Sequence, residues 1–458
     1  MTFEKSVAII GGGPSGLATA KALAEEHVFD KIVIFEQQPQ VGGVWNYSGT
    51  KPGNSPVPSD NPSITREWFA NRDDEYVSPM YENLETNVIK DLMGYKDYPF
   101  PEACDILPSR QDVLEYVLNY AVDLKDPISV LVNKEVINLQ KTGSEWKLRS
   151  RDLISQATTE DSFKYVIIAT GHYNFPYVPD VPGLQEWAEA DPSSISHSKY
   201  YINNQKFKGK KVLVIGNSAS GADISLQLTE VTWPVYRSKK SEGIIKPVEI
   251  DDIIDISEIK RYDVSSRTAT TADNTTISNI DHIIFCTGYL YDFPFLKSYM
   301  EGEDALITDG QITRRLHRQI FYIPDPSLSF VGIMKNIIPF PLAESQGAVI
   351  ARVYSGRLEL PCEAEMRKDE IEEIKKRGGE SKFHSFATPT DVEYAQELAS
   401  LVDKAVPFDT GFKAEIWTEE KKNRRVDFVD IKQQRHREHR ERIKRNRKSH
   451  ETSAQAEA

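Results

Sequence analysis

The chain has 458 residues, 39% hydrophobic and 10% aromatic, which is the composition of a globular protein with two or three domains. Its 56 basic and 69 acidic side chains give a formal net charge of −13, which excludes a nucleic-acid footprint over the whole chain. Its cysteines are widely spaced and form no CxxC pair, which excludes a disulfide framework: Cys104, Cys286 and Cys362.

No apolar run approaches the roughly 18 residues that a membrane-spanning helix needs. The first predicted strand begins within six residues of Met1, which leaves no room for a signal or transit peptide. We therefore expect a cytoplasmic protein without a transmembrane span.

The first predicted element is a buried parallel strand over 7–10, followed by the turn Gly11-x-Gly13-x-x-Gly16 and a helix. Gly11 permits a tight turn, Gly13 lets a pyrophosphate approach the backbone, and Gly16 lets helix and strand pack closely. The next strand, predicted over 31–35, delivers Glu36 twenty residues after Gly16, where a carboxylate binds the hydroxyls of an adenosine ribose. These features predict a dinucleotide-binding fold whose phosphates rest at the positive end of the helix.

Two glycines follow this acid in the run Gly42-Gly43-Val44-Trp45. The glycines allow the main chain to pass close to a ligand, and Trp45 can cover it, so Gly43, Val44 and Trp45 are predicted to line the cofactor. The alternative is a plain turn with a core tryptophan. The long polar stretch 48–79 comes next and is interpreted as a lid or an interface.

The middle of the chain alternates between predicted helix and strand. We expect an amphipathic helix over 112–124, three strands of an antiparallel insert at 128–132, 136–140 and 146–149, and a buried parallel strand over 163–168. The last strand leads into Ala169-Thr170-Gly171. The small residues Thr170 and Gly171 let the backbone meet a ligand at the carboxyl edge of a sheet.

The opening motif then repeats. An apolar strand leads into Gly216-x-Ser218-x-x-Gly221 and a helix, with serine in place of the middle glycine. The next predicted strand, 231–236, is followed by Arg237 and two lysines where the first motif has Glu36. An arginine at this position suits a 2′-phosphate, so the second nucleotide is predicted to be NADP(H); the alternative is a solvated basic loop.

A strand over 280–285 ends in Cys286-Thr287-Gly288, which parallels Ala169-Thr170-Gly171, and a late helix is predicted over 343–358. The order of these elements predicts an α/β protein with two nested doubly wound (Rossmann-like) domains, the second inserted into the first. The first domain comprises 1–178 and 289–430, and the inserted domain comprises 179–288. Residues 431–458 are predicted to be a basic, disordered tail, with contact to anionic lipid or nucleic acid as an alternative.

Two dinucleotide folds in one chain indicate that electrons pass from a nicotinamide to a flavin. A disulfide reductase would need a redox-active cysteine pair, which this chain lacks. An NADPH oxidase and an oxygenase remain as alternatives at this point.

The motifs described above, together with Leu84-x-Thr86-Asn87 and Cys286-Thr287-Gly288-Tyr289, stand in the order seen in flavin-containing monooxygenases. The chain resembles the fungal members most closely, over residues 5–360. The family's FxGxxxHxxxY pattern is half kept, because His197 and Tyr201 fit whereas Asp191 and Ser193 replace the Phe and the Gly. Baeyer–Villiger enzymes carry tryptophan at the Tyr201 position, which favours an amine or sulfur oxidiser.

The resemblance implies FAD and NADPH as cofactors and no metal. It implies a C4a-hydroperoxyflavin that oxygenates small thiols, sulfides or amines; the alternatives are a Baeyer–Villiger ketone monooxygenase and an uncoupled NADPH oxidase. Asn87 would be the catalytic residue, because its amide can hold the oxygen adduct. His197 is interpreted as a linker histidine without a catalytic step.

The resemblance also assigns cofactor contacts residue by residue. The cofactors would be contacted by the residues of the first motif together with Pro14, Ser15, Thr86, Asn87, Val88 and Gln346, with Gln346 near the flavin. NADPH would be bound by Ser218, Ser220, Gly221, Ala222, Asp223 and Arg237. The implied partners are a small-molecule substrate and O2, with no specific nucleic acid. A homodimer and a weak contact of the tail with the endoplasmic reticulum surface stay open.

Overall fold

The computed structural model describes residues 5–51, 53–70, 76–240, 251–407 and 410–457. The chain divides into two compact units, each built from three stretches of sequence. Unit 1 comprises Met1–Tyr47, Val88–Tyr173 and Leu290–Arg425, and unit 2 comprises Ser48–Asn87, Asn174–Tyr289 and Val426–Ala458. The sequence predicts only 179–288 for the second unit, so the two flanking stretches are a difference that the structure reveals.

The strands of the first half are β1 Ser6–Ile10, β2 Lys31–Phe35, β3 Ile128–Leu131, β4 Lys134–Thr142, β5 Glu145–Asp152, β6 Thr158–Phe163, β7 Tyr165–Ile168, β8 Phe175–Pro176 and β9 Ile195–His197. They are followed by β10 Val212–Ile215, β11 Val235–Lys239, β12 Ile253–Ser257, β13 Ile259–Asp263, β14 Thr268–Thr271, β15 Thr276–Ile277 and β16 His282–Phe285. The last strands are β17 Tyr289–Leu290, β18 Leu316–His317, β19 Phe321–Tyr322 and β20 Leu328–Phe330.

The α-helices are α1 Pro14–Ala24, α2 Pro62–Ala70, α3 Lys90–Met93, α4 Arg110–Val122, α5 Leu184–Ala190, α6 Ala219–Leu228, α7 Pro339–Ser355, α8 Glu363–Lys376, α9 Thr390–Val402 and α10 Glu419–Glu457. Short 3-10 turns lie at Gly43–Trp45, Pro192–Ser194, Ser198–Tyr200, Gln205–Phe207, Lys297–Tyr299 and Glu380–Lys382. The helix predicted over 112–124 begins earlier, because Ser109 and Asp112 form a reciprocal capping box at its start.

Unit 1 is built on a seven-stranded sheet in the order β18-β19-β20-β7-β1-β2-β3. The strands from β20 to β3 run parallel, and β18 and β19 are antiparallel to their neighbours. β1 is buried along its whole length, as its apolar residues predict. Helices α1 and α7 pack so closely that a Cβ on Gly347 would lie 3.0 Å from the Thr19 Cα.

The antiparallel insert of unit 1 has three strands, as the sequence predicts, but one of the three is a different strand. Strands β4, β5 and β6 form a three-stranded antiparallel sheet. β3, predicted as part of this insert, instead pairs in parallel with β2, with Ile128 opposite Ile32. A four-residue strand of which three residues are exposed carries no periodicity that distinguishes an edge strand of a parallel sheet from an antiparallel strand.

Unit 2 is built on a five-stranded parallel sheet in the order β12-β11-β10-β16-β9. A three-stranded antiparallel sheet, β13-β14-β15, belongs to the same unit. Both units therefore contain the parallel sheet and crossover helices of a doubly wound fold.

The structure corrects the predicted disordered tail. One helix, α10, runs over Glu419–Glu457, and its residues Phe428, Lys432 and Ile443 are 4%, 3% and 5% exposed. The stretch lacks an apolar stripe because several of its buried positions are cationic, so the hydrophobic pattern that identifies a packed helix is absent.

Candidate dinucleotide sites

The first glycine turn is closed by contacts that leave no room for a side chain. Gly11 has φ +111°, and a Cβ on it would lie 2.6 Å from the Ala169 carbonyl oxygen. A Cβ on Gly16 would lie 2.0 Å from the Gly11 carbonyl oxygen. The first turn of α1 therefore stands directly at the carboxyl end of β1, next to the end of β7.

The N-terminus of α1 is open to an anion. Gly13 is the N-cap, with φ −76° and ψ 179°, and no side chain of the described residues caps the helix. Pro14 and Ser15 are the first two helical residues. A Cβ on Gly13 would lie 3.4 Å from the Gly43 Cα, so two backbones meet here. Free amide groups at the positive end of a helix are a binding site for a diphosphate.

Glu36 lies at the end of β2, 4% exposed. Its carboxylate accepts the Gly12 N–H at 2.7 Å and the Gln38 N–H at 2.8 Å. Burial raises the pKa of Glu36, while these two backbone hydrogen bonds oppose the shift. Each oxygen accepts one amide and has a further lone pair, which suits the hydroxyls of a ribose.

The other predicted residues of the first site lie around this turn in unit 1. Trp45 meets the Phe340 ring at the start of α7 edge to face, with centroids 6.4 Å apart. Val44 and Val88 are half-buried, and Gly171, with φ +66°, follows Thr170 just beyond β7. These residues form the wall and the edge of the candidate site, while Thr86 belongs to unit 2.

Gln346 lies inside α7 and is fully buried. Its Oε1 accepts the Gly332 N–H at 3.0 Å, and its Nε2 donates to the Tyr394 hydroxyl at 3.2 Å. A Cβ on Gly332 would lie 2.4 Å from the Ser15 Oγ, so Gln346 holds Gly332 against the first turn of α1. This arrangement favours a positioning role for Gln346 over direct contact with a ligand.

Unit 2 repeats the geometry of the first turn. Gly216 has φ +111°, and a Cβ on it would lie 2.5 Å from the Cys286 carbonyl oxygen. A Cβ on Gly221 would lie 2.0 Å from the Gly216 carbonyl oxygen. The N-cap of α6 is Ser218, which is exposed, and its side chain makes no capping hydrogen bond. Ser220 and Ala222 lie in the first turn of α6, so this helix also offers an open N-terminus.

The structure places Arg237 inside β11 and not after it. Its cross-strand partner on β12 is Asp255, and the guanidinium donates to that carboxylate from Nε at 2.7 Å and Nη2 at 3.1 Å. Arg237 is 3% exposed. The strand predicted to end at 236 instead runs over Val235–Lys239, because it starts after Pro234, which cannot donate a ladder hydrogen bond.

Backbone hydrogen bonds show which residue of unit 2 is the counterpart of Glu36. The Gly11 N–H donates to the Phe35 carbonyl at 2.8 Å, and the Gly216 N–H donates to the Ser238 carbonyl at 2.9 Å. The residues that follow these two carbonyls are Glu36 and Lys239. Sequence reasoning missed Lys239, because the separation from the first glycine differs by two residues between the units.

The candidate catalytic residue Asn87 ends the first stretch of unit 2. Its side chain is half-buried, and its carboxamide makes no hydrogen bond to any residue in the described part of the chain. Asp223, predicted to contact NADPH, accepts hydrogen bonds from the Tyr81 hydroxyl and from Gln227 Nε2, the latter at 3.1 Å. Asp223 therefore holds the segment that precedes Asn87.

His197 and Asp191, two positions of the FxGxxxHxxxY pattern, have hydrogen-bond partners in unit 2. His197 Nε2 donates to the Gly288 carbonyl at 3.0 Å, and Nδ1 accepts the Lys199 N–H at 3.1 Å, which agrees with a linker histidine. Burial lowers the pKa of His197 to about 3, so the ring is neutral. Asp191 accepts a hydrogen bond from Arg267 Nη1 at 2.9 Å, so this departure from the family pattern forms an ion pair.

The sequence matches the family model "Flavin-binding monooxygenase-like" over residues 63–252 and 251–408, and "NAD(P)-binding Rossmann-like domain" over residues 9–83. The thiol-specific monooxygenase of Saccharomyces cerevisiae is 33% identical over 425 residues, covering 90% of this chain and 89% of that protein. The chain belongs to the flavin-containing monooxygenase family.

Further flavin-containing monooxygenases show similarity over most of the chain. FMO GS-OX1 of Arabidopsis thaliana is 34% identical over 383 residues, covering 81% of this chain and 78% of that protein. The structure of S-allyl-L-cysteine S-oxygenase from Allium sativum matches with a TM-score of 0.77 and 27% identity, covering 95% of this chain and 94% of that chain.

Membership of this family makes the protein a monooxygenase with FAD and NADPH as cofactors. The two open helix N-termini and the glycine contacts described above fit two dinucleotides. In the part of the chain that the structure describes, no helix has both the length and the apolar character required to cross a membrane.

Proposed function

We propose that this flavin-containing monooxygenase uses NADPH and O2 to oxygenate soft sulfur nucleophiles, namely small thiols and sulfides. Bound FAD would supply the redox chemistry, namely hydride acceptance from NADPH and activation of oxygen. The first glycine turn and Glu36 would hold FAD, and the turn at Gly216 would hold NADPH. The remaining task of the protein is to hold the reactive oxygen group in a site that excludes water.

The observation that carries this proposal is the unpaired carboxamide of Asn87. An amide both donates and accepts hydrogen bonds, so it can hold a reactive oxygen group without giving it a proton. Among the described residues no partner occupies this amide, although Asn87 is half-buried. A polar group in such a position is available to a ligand.

The relatives favour a sulfur substrate, and the cysteines of this chain argue against a disulfide reductase. One relative is named a thiol-specific monooxygenase, and one structural neighbour an S-allyl-L-cysteine S-oxygenase. Cys104, Cys286 and Cys362 are free thiols, and burial raises the pKa of Cys286 to about 12. The protein thus lacks the thiol chemistry of a disulfide reductase.

The test uses the purified flavoprotein with a small thiol, a sulfide, an amine and a cyclic ketone. We expect NADPH consumption to rise with the sulfur compounds, and mass spectrometry to show products with one added oxygen atom. NADPH consumption matched by hydrogen peroxide with every compound would establish an oxidase instead. Oxygen insertion into the ketone alone would establish Baeyer–Villiger chemistry.

The variant Asn87→Ala tests the role of the carboxamide. We expect this variant to keep its bound FAD and to oxidise NADPH, but to yield about 100-fold less product per NADPH. An oxyanion-type hydrogen bond contributes a rate factor of about that size. The matched control is Asn83→Ala, an exposed asparagine four residues earlier. Equal product from Asn87→Ala and the control would remove Asn87 from the mechanism.

A further inference from the structure

The segment that precedes Asn87 is fixed by side chains from two helices of unit 2. We name residues 81–86 the anchored segment. Four contacts hold it. The Tyr81 hydroxyl donates to Asp223, and Gln227 Nε2 donates to the Asn83 carbonyl at 3.2 Å. Arg435 Nε lies 4.0 Å from the Glu85 carboxylate, and Lys432 Nζ donates to the Thr86 carbonyl at 3.2 Å. Two of these contacts come from α6 and two from α10.

Lys432 is the contact nearest to Asn87. It is 3% exposed, and its ammonium donates to the carbonyl of Thr86, which is 4% exposed. A buried ammonium is costly unless it is hydrogen-bonded, so this cation is committed to its acceptor. A hydrogen bond from a charged donor is about twice as strong as a neutral one. The Thr86 carbonyl belongs to the peptide group that joins Thr86 to Asn87.

The docking of α10 makes this contact a fixed one. His436, one turn after Lys432, is 9% exposed, and Ile443 is 5% exposed. Further along, His439 Nε2 lies 3.1 Å and Arg442 Nη2 lies 3.3 Å from the Glu230 carboxylate. Thus α10 is held at several points, and the Lys432 ammonium has little freedom to leave the Thr86 carbonyl.

We propose that Lys432 is a positioning residue for Asn87. By binding the Thr86 carbonyl it sets the plane of the Thr86–Asn87 peptide group, and so the direction in which the Asn87 carboxamide points. The helix α10 is then part of the oxygenation machinery. This inference rests on the proposed role of Asn87. A displacement of about 1 Å at a reacting group can cost 100-fold in rate, so a small shift here has a large effect.

The experiment compares Lys432→Met, Lys432→Arg and Lys444→Met as flavoproteins. Met keeps most of the length of the side chain and removes the charge, and Arg restores a charged donor. Lys444→Met makes the same change on the same helix, at a lysine that pairs with Asp251. Product per NADPH, hydrogen peroxide, the KM for NADPH and bound FAD are measured for each.

We expect Lys432→Met to lose about tenfold in product per NADPH with a matching rise in peroxide, because misdirection of Asn87 wastes the activated oxygen. FAD content and the KM for NADPH should stay within about twofold of the wild type, because the nucleotide-binding turns are intact. Lys432→Arg should recover most of the lost product. Lys444→Met should behave as the wild type.

Hydrogen exchange provides a readout that is independent of catalysis. In the FAD-loaded protein, the amides of residues 81–88 should exchange about tenfold faster in Lys432→Met than in Lys444→Met, because local opening becomes easier. If Lys432→Met does not yield folded flavoprotein, Lys432→Gln is measured in the same way. Unchanged exchange together with unchanged product per NADPH would overturn the proposal.

Failure of the proposed function gives a different pattern. A wild-type protein that makes no oxygenated product contradicts the sulfur oxygenase, and the exchange measurement then decides alone whether Lys432 holds the anchored segment. The other pattern is a wild-type protein that makes product and a Lys432→Met variant that equals it in product per NADPH and in amide exchange. That pattern contradicts only the positioning role.

Discussion

Arg237 and Lys239 lie two residues apart in β11, and Asp255 is close to both: Lys239 Nζ lies 3.8 Å from its carboxylate, with 31% of the lysine side chain exposed. Arg237 is paired with Asp255 across the sheet and is buried, so its charge is compensated. Lys239 follows the carbonyl that receives the Gly216 N–H, which is the position of Glu36 in unit 1. At that position a carboxylate suits free ribose hydroxyls, and a cation suits a 2′-phosphate.

We therefore expect Lys239→Ala to weaken 2′,5′-ADP binding by about 10- to 100-fold and 5′-AMP binding hardly at all, because a charge-assisted hydrogen bond contributes about 1.5–3 kcal/mol. Titration calorimetry on the flavoprotein measures both. The control is Lys240→Ala, whose side chain is 83% exposed. Selective loss of 2′,5′-ADP binding in Arg237→Ala, with Lys239→Ala unaffected, would instead assign the 2′-phosphate to Arg237.

The sequence could predict Glu36 but not Lys239. Glu36 is the only acid between the buried residues of β2 and the glycines at 42 and 43, so its position is unambiguous. The basic run after Pro234 contains three cations, and only the backbone hydrogen bond to Gly216 selects one of them. A register of this kind depends on pairing between distant strands and leaves no local pattern.

At the scale of elements, the two glycine turns are near copies. Gly16 and Gly221 each face the carbonyl oxygen of the first glycine at a distance that excludes a Cβ. Their chemistry differs chiefly in the charged residue at the end of the second strand of each unit. Single alanine substitutions can therefore disable one dinucleotide site at a time.

We expect Gly16→Ala to abolish FAD binding, because its Cβ would lie 2.0 Å from a backbone oxygen that cannot move without opening the turn. Gly221→Ala should keep FAD and lose about 100-fold or more in affinity for 2′,5′-ADP, because the end of α6 is displaced. Flavin absorbance and calorimetry report the two effects. The control is Gly143→Ala between β4 and β5, where a Cβ meets nothing within 4 Å and only the positive φ of +61° disfavours alanine, so both nucleotides should still bind. A Gly221→Ala protein with full nucleotide affinity would contradict the second site.

Elements with an apolar pattern could be predicted, and those without one could not. The sequence predicts β1 and β2 within one residue of their bounds, because both are short apolar runs before a turn signal. Helix α10 escaped prediction as a packed element, because Lys432 and His436 occupy buried positions. Their burial depends on acceptors supplied by distant segments such as Thr86 and not on hydropathy.

At the scale of the whole molecule, one buried carboxyl links stability to pH. Glu344 in α7 is fully buried; its Oε2 accepts the Lys96 N–H at 2.9 Å, and its Oε1 has no partner in the described part of the chain. Burial raises the pKa of Glu344 to about 7, although Lys21 and Lys96 oppose the shift and Glu415 adds to it. The folded protein thus holds this proton more tightly than the unfolded chain.

A raised pKa in the folded state stabilises the protein fully below the unfolded pKa of 4.5, and this contribution is lost as the pH rises through about 7. Because glutamine does not ionise, we expect Glu344→Gln to remove this loss in the free energy of unfolding. The loss is on the order of 3 kcal/mol at pH 8 and smaller at pH 5.5. Thermal unfolding midpoints at a fixed scan rate measure it. Glu372→Gln, on the exposed face of α8, is the control. A midpoint shift in Glu344→Gln that is equal at both pH values would contradict this linkage.

The nested architecture could be predicted as a whole, since two glycine turns and two small-residue strand ends appear in order along the chain. The assignment of 48–87 to unit 2 could not be predicted. The evidence for it is contacts such as Tyr81 with Asp223 and Ser59 with Val178, which join residues more than a hundred positions apart. Asn87 is consequently tied to the unit that carries the Gly216 turn, although Val88 belongs to the other.

The division of each unit among three stretches of sequence has a consequence for biosynthesis. Unit 1 needs Leu290–Arg425 and unit 2 needs Val426–Ala458, so both lack contacts while the ribosome is still translating the second glycine motif. The partner of the Thr86 carbonyl, Lys432, is translated more than three hundred residues after it. Neither unit can complete its contacts before its last stretch is translated, and a nascent chain that is halted before α10 would hold the segment before Asn87 through α6 alone.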